Sequence, residues 1–407
     1  MWLSNAKLIL PDRVIACGSV CVEGEHITKV TQGPVIPTGA HEHYDLQGLT
    51  LAPGIIDMHG DMLERELEPR PNARLPIDVA AHELDKRLAA CGVTTAYAAI
   101  SFSEISIIRQ TTLRQHEVAR EIVDVLVAER EHLLVDTRIH VRFEVTNPHA
   151  PPVLKDMLRK GKVDLVSLND HTPGQGQYRD VEKCMQEMER WSRLSADYAT
   201  VTLDRVKQAQ ARPVAWDVIR EVTSIARANG LPIASHDDDT PGKVALMHDV
   251  GVSLSEFPVT LMAAQAAHDA KMAVVMGAPN AFRGVSTGGN LSARDAIAAG
   301  LVDLLAADYH PGLLIHAAYT IVQQGLLGLP GAMALISTNA AQALRLADRG
   351  AIATGLLADL VVIDERRARP RVRGTMRRGA FIFADALMTA LAPQSQRSLA
   401  GGGLRPF

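Results

Sequence analysis

Cysteine is scarce in this chain: 407 residues contain four, Cys17, Cys21, Cys91 and Cys184, and no two form a Cys-x-x-Cys pair. That scatter points to reduced thiols and excludes a disulfide framework or a zinc knuckle as the organising feature. An excess of basic charge is also missing, since the formal net charge is -4. A general nucleic-acid binder usually carries a strongly basic face, so that class is disfavoured, although a local arginine cluster can still hold a small anion. No long apolar run is uninterrupted: the richest stretch, 296–336, is broken by Asp303, Asp308, His310 and His316. No membrane span is expected from it. The opening MWLSNAKLILPDRVI reaches a proline and charges too early for a secretory signal, which leaves a soluble cytoplasmic protein as the expectation.

What is present is an ordered alternation. The first fifty residues read as short strands with turns, and the same texture returns in GLLADLVVIDERRARPRVRGTMRRGAFIF. Between them, eight strand candidates alternate with helical segments: 54–58, 93–100, 138–145, 163–168, 232–235, 252–257, 273–276 and 302–306. QHEVAREIVDVLVAEREHLL and AWDVIREVTSIARAN carry apolar residues at helical spacing. The pattern predicts an α/β protein with a (β/α)8 barrel over 54–346 and a small β-sandwich domain built from 1–53 and 347–392. The Gly- and Ser-rich segment 393–407 is expected to be a flexible tail.

In such a barrel the chemistry sits at the carboxyl ends of the strands. Five of the eight expected ends carry imidazole or carboxylate: His59-Gly60-Asp61, Glu144, Asn169-Asp170-His171, His236 followed by three aspartates, and Asp308-Tyr309-His310. Taken singly, a strand-end histidine is more often a hydrogen-bonded rim residue, and an aspartate often caps the next helix. Converging on one barrel mouth, they indicate a metal site. Nitrogen and oxygen donors without thiolate suit zinc, manganese, iron or cobalt better than calcium. Glu144 is the best candidate for an anion bridging two ions.

The segments LAPGIIDMHGD, CGVTTAYAAIS, AADYHP, TNAAQALRL and GLLADLVVID resemble the amidohydrolase superfamily, and the likeness runs over nearly the whole chain. HGDMLERELEPRPNARLP, RFEVTN, VSLNDHTPGQGQY, SHDDDT, SEFPVT and MGAPNAFRGVSTGGNLSARD are similar to one branch, which hydrolyses the phosphoanhydride of a ribose 1-methylphosphonate 5-triphosphate in phosphonate catabolism. The resemblance implies ligands at His59, Asp61, Glu144, His171, His236 and Asp308, holding two divalent ions. Two features depart from the usual superfamily pattern. Asp61 stands where a second histidine is common, and no lysine lies in an expected barrel strand, so Glu144 would replace a carboxylated lysine. The two later histidines also follow the fourth and fifth expected strands, where the fifth and sixth are usual.

On this reading Asp308 accepts the proton of the attacking water, and arginines neutralise the leaving pyrophosphate. Arg65, Arg70, Arg74 and Arg283 are the candidates, with a phosphate cradle at Ser286, Gly288, Gly289 and Asn290 and a further cation at Lys243. Any one of those arginines could equally be a solvated rim residue. The three aspartates after His236 would fix the imidazole or ribose hydroxyls, or cap the next helix. The partner expected is a small-molecule triphosphate, with neither nucleic acid nor membrane, and self-association is left open. Two alternatives remain: hydrolysis of an amide or cyclic imide on the same barrel, and a non-catalytic metal- or nucleotide-binding subunit.

Overall fold

A computed structural model describes residues 1–37, 42–70, 73–103, 112–182, 185–186, 206–208 and 210–392. The expected tail at 393–407 and Cys184 lie outside the described residues. The chain opens with β1 (Trp2–Ile9), β2 (Val14–Glu23), β3 (His26–Gln32), β4 (His43–Asp45) and β5 (Thr50–Pro53). The barrel strands follow: β6 (Ile55–Gly60), β7 (Val93–Phe102), β8 (Asp136–Glu144), β9 (Leu165–Asn169), β10 (Ile233–His236), β11 (Leu254–Glu256), β12 (Ala273–Gly277) and β13 (Leu304–Ala306). All seven neighbouring pairs from β6 to β13 are parallel, in sequence order. Each of the eight expected strand segments overlaps one of them.

The last strands, β14 (Leu360–Asp364), β15 (Arg371–Arg377) and β16 (Ala380–Ala384), join β1–β5 in one connected mixed sheet. Their period-two alternation serves two cores at once. Leu360 and Val362 pack with Leu3, Leu8 and Leu51 in the core of the sheet, whereas Val361 and Ile363 pack with the layer outside the barrel strands. Leu51 and Ala52 on β5 divide in the same way. The terminal sheet is therefore welded to the barrel through one face, and the barrel is filled inside by Ile56, Met58, Tyr97, Leu165, Ala234, Leu254, Val275 and Leu304.

The seam between the first and last barrel strands closes in three places. Near the base the segment 335–336 bonds both strands, through Leu305 N–H to Leu335 O and Ile56 N–H to Ile336 O. Higher up, Asp57 Oδ1 accepts the Ala307 N–H at 2.9 Å. At the mouth, Asp308 N–H donates to His59 O at 2.9 Å and Asp61 N–H to Asp308 O at 3.0 Å. Three of the residues expected to carry chemistry, His59, Asp61 and Asp308, thus sit on the closing stitch of the barrel.

Candidate active site

Strict alternation along β6 would put Met58 and His59 on opposite faces. The register with β7 is irregular between Asp57 and Gly60, and this bulge lets Met58 fill the barrel while the His59 ring also turns inward. Gly60 packs closely there: a Cβ would lie 2.6 Å from the end of the Met62 side chain, which would have to shift, and 3.1 Å from Asp57 Oδ2. Strand β8 behaves regularly. His140, Arg142 and Glu144, two apart, are all buried.

All six expected ligands, His59, Asp61, Glu144, His171, His236 and Asp308, line one cavity of about 370 Å³ at the carboxyl ends of the strands. Beneath them lies Glu256, the last residue of β11, which the sequence reading passed over. Its Oε1 is 2.7 Å from His59 Nδ1 and its Oε2 is 2.6 Å from His236 Nδ1. One carboxylate therefore fixes two stacked imidazoles, 5.6 Å apart, by their Nδ1 atoms and turns both Nε2 atoms away from itself, that of His236 lying 3.2 Å from Arg142 Nη2. Burial alone would raise the Glu256 carboxyl, but His59 and His236 outweigh it and hold the group well below the usual carboxylate range. His236 is pushed well down by burial and by the Arg142 charge, so it is a neutral donor to Glu256. For His59, burial opposes the proton and the Glu256 charge prevails, raising it.

A second carboxylate works the same way. Glu144 Oε2 lies 2.6 Å from His171 Nδ1, and Oε1 accepts the His171 backbone N–H at 2.9 Å. Both oxygens are engaged by His171, and Arg142 on the same face turns instead to His236. The ligand atoms of His171, His236 and Asp237 lie within 4.8 Å of one another, as do those of His59, His140 and Glu256. Asp237 thus takes a place in the cavity. Of its neighbours, Asp238 accepts from Ser235 and Ser255 and ties β10 to β11, and Asp239 Oδ2 accepts the Gly176 N–H at 2.9 Å. The cap of the following helix, Pro241–Asp249, is Thr240 and none of the three aspartates.

The donors fit a divalent cation. Asp61 Oδ1 and Asp237 Oδ2 are buried with no hydrogen-bond partner. Burial, then the negative charge of Asp61, pushes Asp308 up to about 7, and burial pushes Asp237 up to about 6. Crowded carboxylates withdrawn from water call for a positive ion, and these oxygens and Nε2 atoms are the borderline donor set for zinc, manganese or iron. Three residues at this mouth hold positive φ: Asp237 at 55°, Phe257 at 56° and Asp308 at 57°. Aspartate tolerates that region, but for phenylalanine it is an outlier. The strained backbone puts the Phe257 ring edge-on to His59 and His236, at 5.2 and 5.4 Å.

The expected anion contacts divide. Arg283, Ser286, Gly288 and Asn290 line the cavity. Gly289 does not, and neither do Arg65, Arg70, Arg74 or Lys243. Arg65 lies over the Tyr309 ring at 5.7 Å, Arg70 is exposed, and Arg74 reaches Glu121 at 3.4 Å. Lys243 lies in the first turn of the helix Pro241–Asp249, where its backbone N–H donates to Thr240 Oγ1 at 3.2 Å. The cavity recruits Arg114, Arg142 and Arg212 in their place. Arg114 is held by Glu64, with its Nη2 2.8 Å from Oε2. No local motif marks Arg114 or Arg212, whereas the two-residue step to Glu144 on one strand puts Arg142 on the same face as that carboxylate.

No family model matches the chain. It is 31% identical over 386 residues to alpha-D-ribose 1-methylphosphonate 5-triphosphate diphosphatase of Escherichia coli (strain K12), covering 94% of this chain and 100% of that protein. Among solved structures it is similar to a 5-methylcytosine deaminase from Klebsiella pneumoniae (TM-score 0.63, 15% identity, 95% of this chain and 98% of that one). An N-acetyl-D-glucosamine-6-phosphate deacetylase from Mycobacterium smegmatis matches equally (TM-score 0.63, 16% identity, 94% and 100%). A dihydropyrimidinase from Brevibacillus agri NCHU1002 has TM-score 0.58 at 12% identity, over 94% and 95%. At such identities the three structures speak for the fold alone.

Proposed function

Because the chain belongs to the α-D-ribose 1-methylphosphonate 5-triphosphate diphosphatase family of the amidohydrolase superfamily, we propose that it hydrolyses that triphosphate to the 5-phosphate and pyrophosphate. The observation that carries the reading is one cavity that combines a nitrogen and oxygen ligand set with four arginines, Arg114, Arg142, Arg212 and Arg283. An amide substrate has no use for that much positive charge, whereas a triphosphate requires it.

The ligands assigned are His59, Asp61, His171, His236 and Asp308, together with Glu144, whose oxygens each keep a lone pair beyond the one given to His171. Two divalent ions, zinc, manganese or iron, would be held there; when bound they acidify water and draw charge from phosphoryl oxygen. The chain's own residues do the rest. Glu256 and Glu144 fix the imidazoles, and Asp308, at the end of the last barrel strand and lining the cavity, takes the proton of the attacking water. Ser286, Gly288 and Asn290 line the wall on which the polyphosphate would lie.

The test is phosphorus NMR of metal-loaded protein turning over the triphosphate in 18O-enriched water. Heavy oxygen in the 5-phosphate and none in pyrophosphate is the expected outcome. Label in pyrophosphate would move the attack to the β-phosphorus. Absence of turnover by metal-replete protein would remove the substrate assignment.

A further inference from the structure

Arg142 is 8% exposed, lines the cavity, and its Nε has no hydrogen-bond partner. Its Nη2 lies 3.2 Å from His236 Nε2, and among the described residues no carboxylate forms an ion pair with it. Glu144, two residues further along the strand, gives both oxygens to His171. A guanidinium withdrawn from water needs a compensating anion. Elsewhere in this protein the need is met from within: buried Arg349 reaches Asp136 at 2.7 Å and Asp348 at 2.9 Å, and Arg114 is taken up by Glu64. Arg142 alone of these three has no carboxylate in ion-pair contact among the described residues, although its charge acts on Asp237 and Asp308 across the cavity. It lies beside His236, on the floor. Arg283 on the same cavity is exposed, and Arg212 is half-buried.

We propose that Arg142 forms an anion subsite on the cavity floor that receives the non-bridging oxygens of the phosphoryl group under attack, while Arg212 and Arg283 hold the departing diphosphate. The inference rests on the diphosphatase reading above. In the step it serves, the water oxygen bonds to the α-phosphorus and the bond from that phosphorus to the oxygen shared with the β-phosphorus breaks. The electron pair leaves with pyrophosphate, and the water proton passes to Asp308. Arg142 keeps its proton throughout and balances the charge spread over the equatorial oxygens, which its planar fork suits.

Arg142→Met, Arg142→Lys and Arg283→Met are compared in the metal-loaded enzyme, with bound metal measured on each. Two inhibitors separate the subsites: ribose 5-phosphate carries the α-phosphoryl group, and pyrophosphate carries the leaving portion. Arg142→Met is expected to lower kcat by about a hundredfold or more at nearly unchanged KM, with Arg142→Lys between it and wild type. It should weaken ribose 5-phosphate about tenfold and leave pyrophosphate alone, while Arg283→Met does the reverse and raises KM. A kcat within about threefold of wild type for Arg142→Met, or for Arg142→Lys if the first does not fold, would overturn the subsite. So would a loss of kcat matched by an equal loss of bound metal. If wild type cleaves no triphosphate yet binds ribose 5-phosphate through Arg142 in calorimetry, the subsite stands and the substrate assignment falls. Cleavage indifferent to Arg142 gives the opposite result.

Discussion

Glu256 gives one oxygen to each of two imidazoles, and the arrangement works only while both oxygens accept. In Glu256→Gln the amide nitrogen can only donate, so one histidine must turn its ring or lose its partner. Side chains in this position are worth about 10–100-fold in metal affinity. Glu256→Gln is therefore expected to weaken metal binding by about that factor while the barrel still folds, read by competition against a chelator of known affinity. An unchanged affinity would remove Glu256 from the centre and leave it as a buried structural acid. This residue was hard to see in the sequence. SEFPVT offers a glutamate one place before a phenylalanine and a proline, and nothing local says that His59 and His236, 197 and 20 residues away, converge on it. Asp61 and Asp308, by contrast, were legible because each closes a recognisable strand-end motif.

At the level of elements, the seam between β6 and β13 depends on a side chain. Asp57 Oδ1 accepts N–H groups from Ala307 at 2.9 Å and His59 at 3.3 Å, while Oδ2 has no partner. Burial pushes this carboxyl up to about 6. The acceptor, not the charge, is what the seam uses. Asp57→Asn keeps the acceptor and is expected to change stability by less than about 1 kcal/mol, whereas Asp57→Ala orphans two buried donors and should cost about 3 kcal/mol. Urea unfolding at matched metal content distinguishes them, and equal losses for both variants would show that the carboxylate itself matters. The eight strands and the helices His116–Glu129 and Trp216–Ala228 follow from hydrophobic periodicity, so they could be read in advance. The bulge that admits both Met58 and His59 could not, since it is a property of pairing with β7.

Across the whole molecule, the barrel and the terminal sheet share one apolar layer and one buried ionic knot. Arg349, which follows the last helices of the barrel, reaches Asp136 at the start of β8 at 2.7 Å, Thr95 Oγ1 on β7 at 2.9 Å and Asp359 beside β14 at 3.9 Å. Replacing it strands buried carboxylates, so Arg349→Met is expected to destabilise the protein by about 3–5 kcal/mol. The effect should depend on pH in a definite direction. Burial alone would raise the Asp136 carboxyl, but Arg138 and Arg349 outweigh it and hold it below its ordinary value. A group lowered in the folded state stabilises above its unfolded pKa, about 3.9, and loses that contribution as pH falls through the folded value. The gap in Tm between wild type and Arg349→Met should therefore narrow on acidification from neutrality to about pH 3. A constant gap would assign the loss to packing.

The sequence by itself determined the alternation of strands and helices, the return of a β-rich texture at both ends, and the imidazoles and carboxylates at strand ends. Those are local patterns, set by side-chain period and by which residues terminate an apolar run. Only the tertiary structure decided which charges share the cavity. Arg65, Arg70 and Arg74 follow the first barrel strand directly and yet lie outside it, while Arg114, Arg142 and Arg212 arrive from other parts of the chain. The closure of eight strands brings the ends of β6, β8, β10, β11 and β13 to one mouth, and the seam beneath that mouth is bonded between residues 250 positions apart. Spacing along a chain carries no trace of such distances, because a parallel barrel makes its contacts between successive turns of β and α rather than within them.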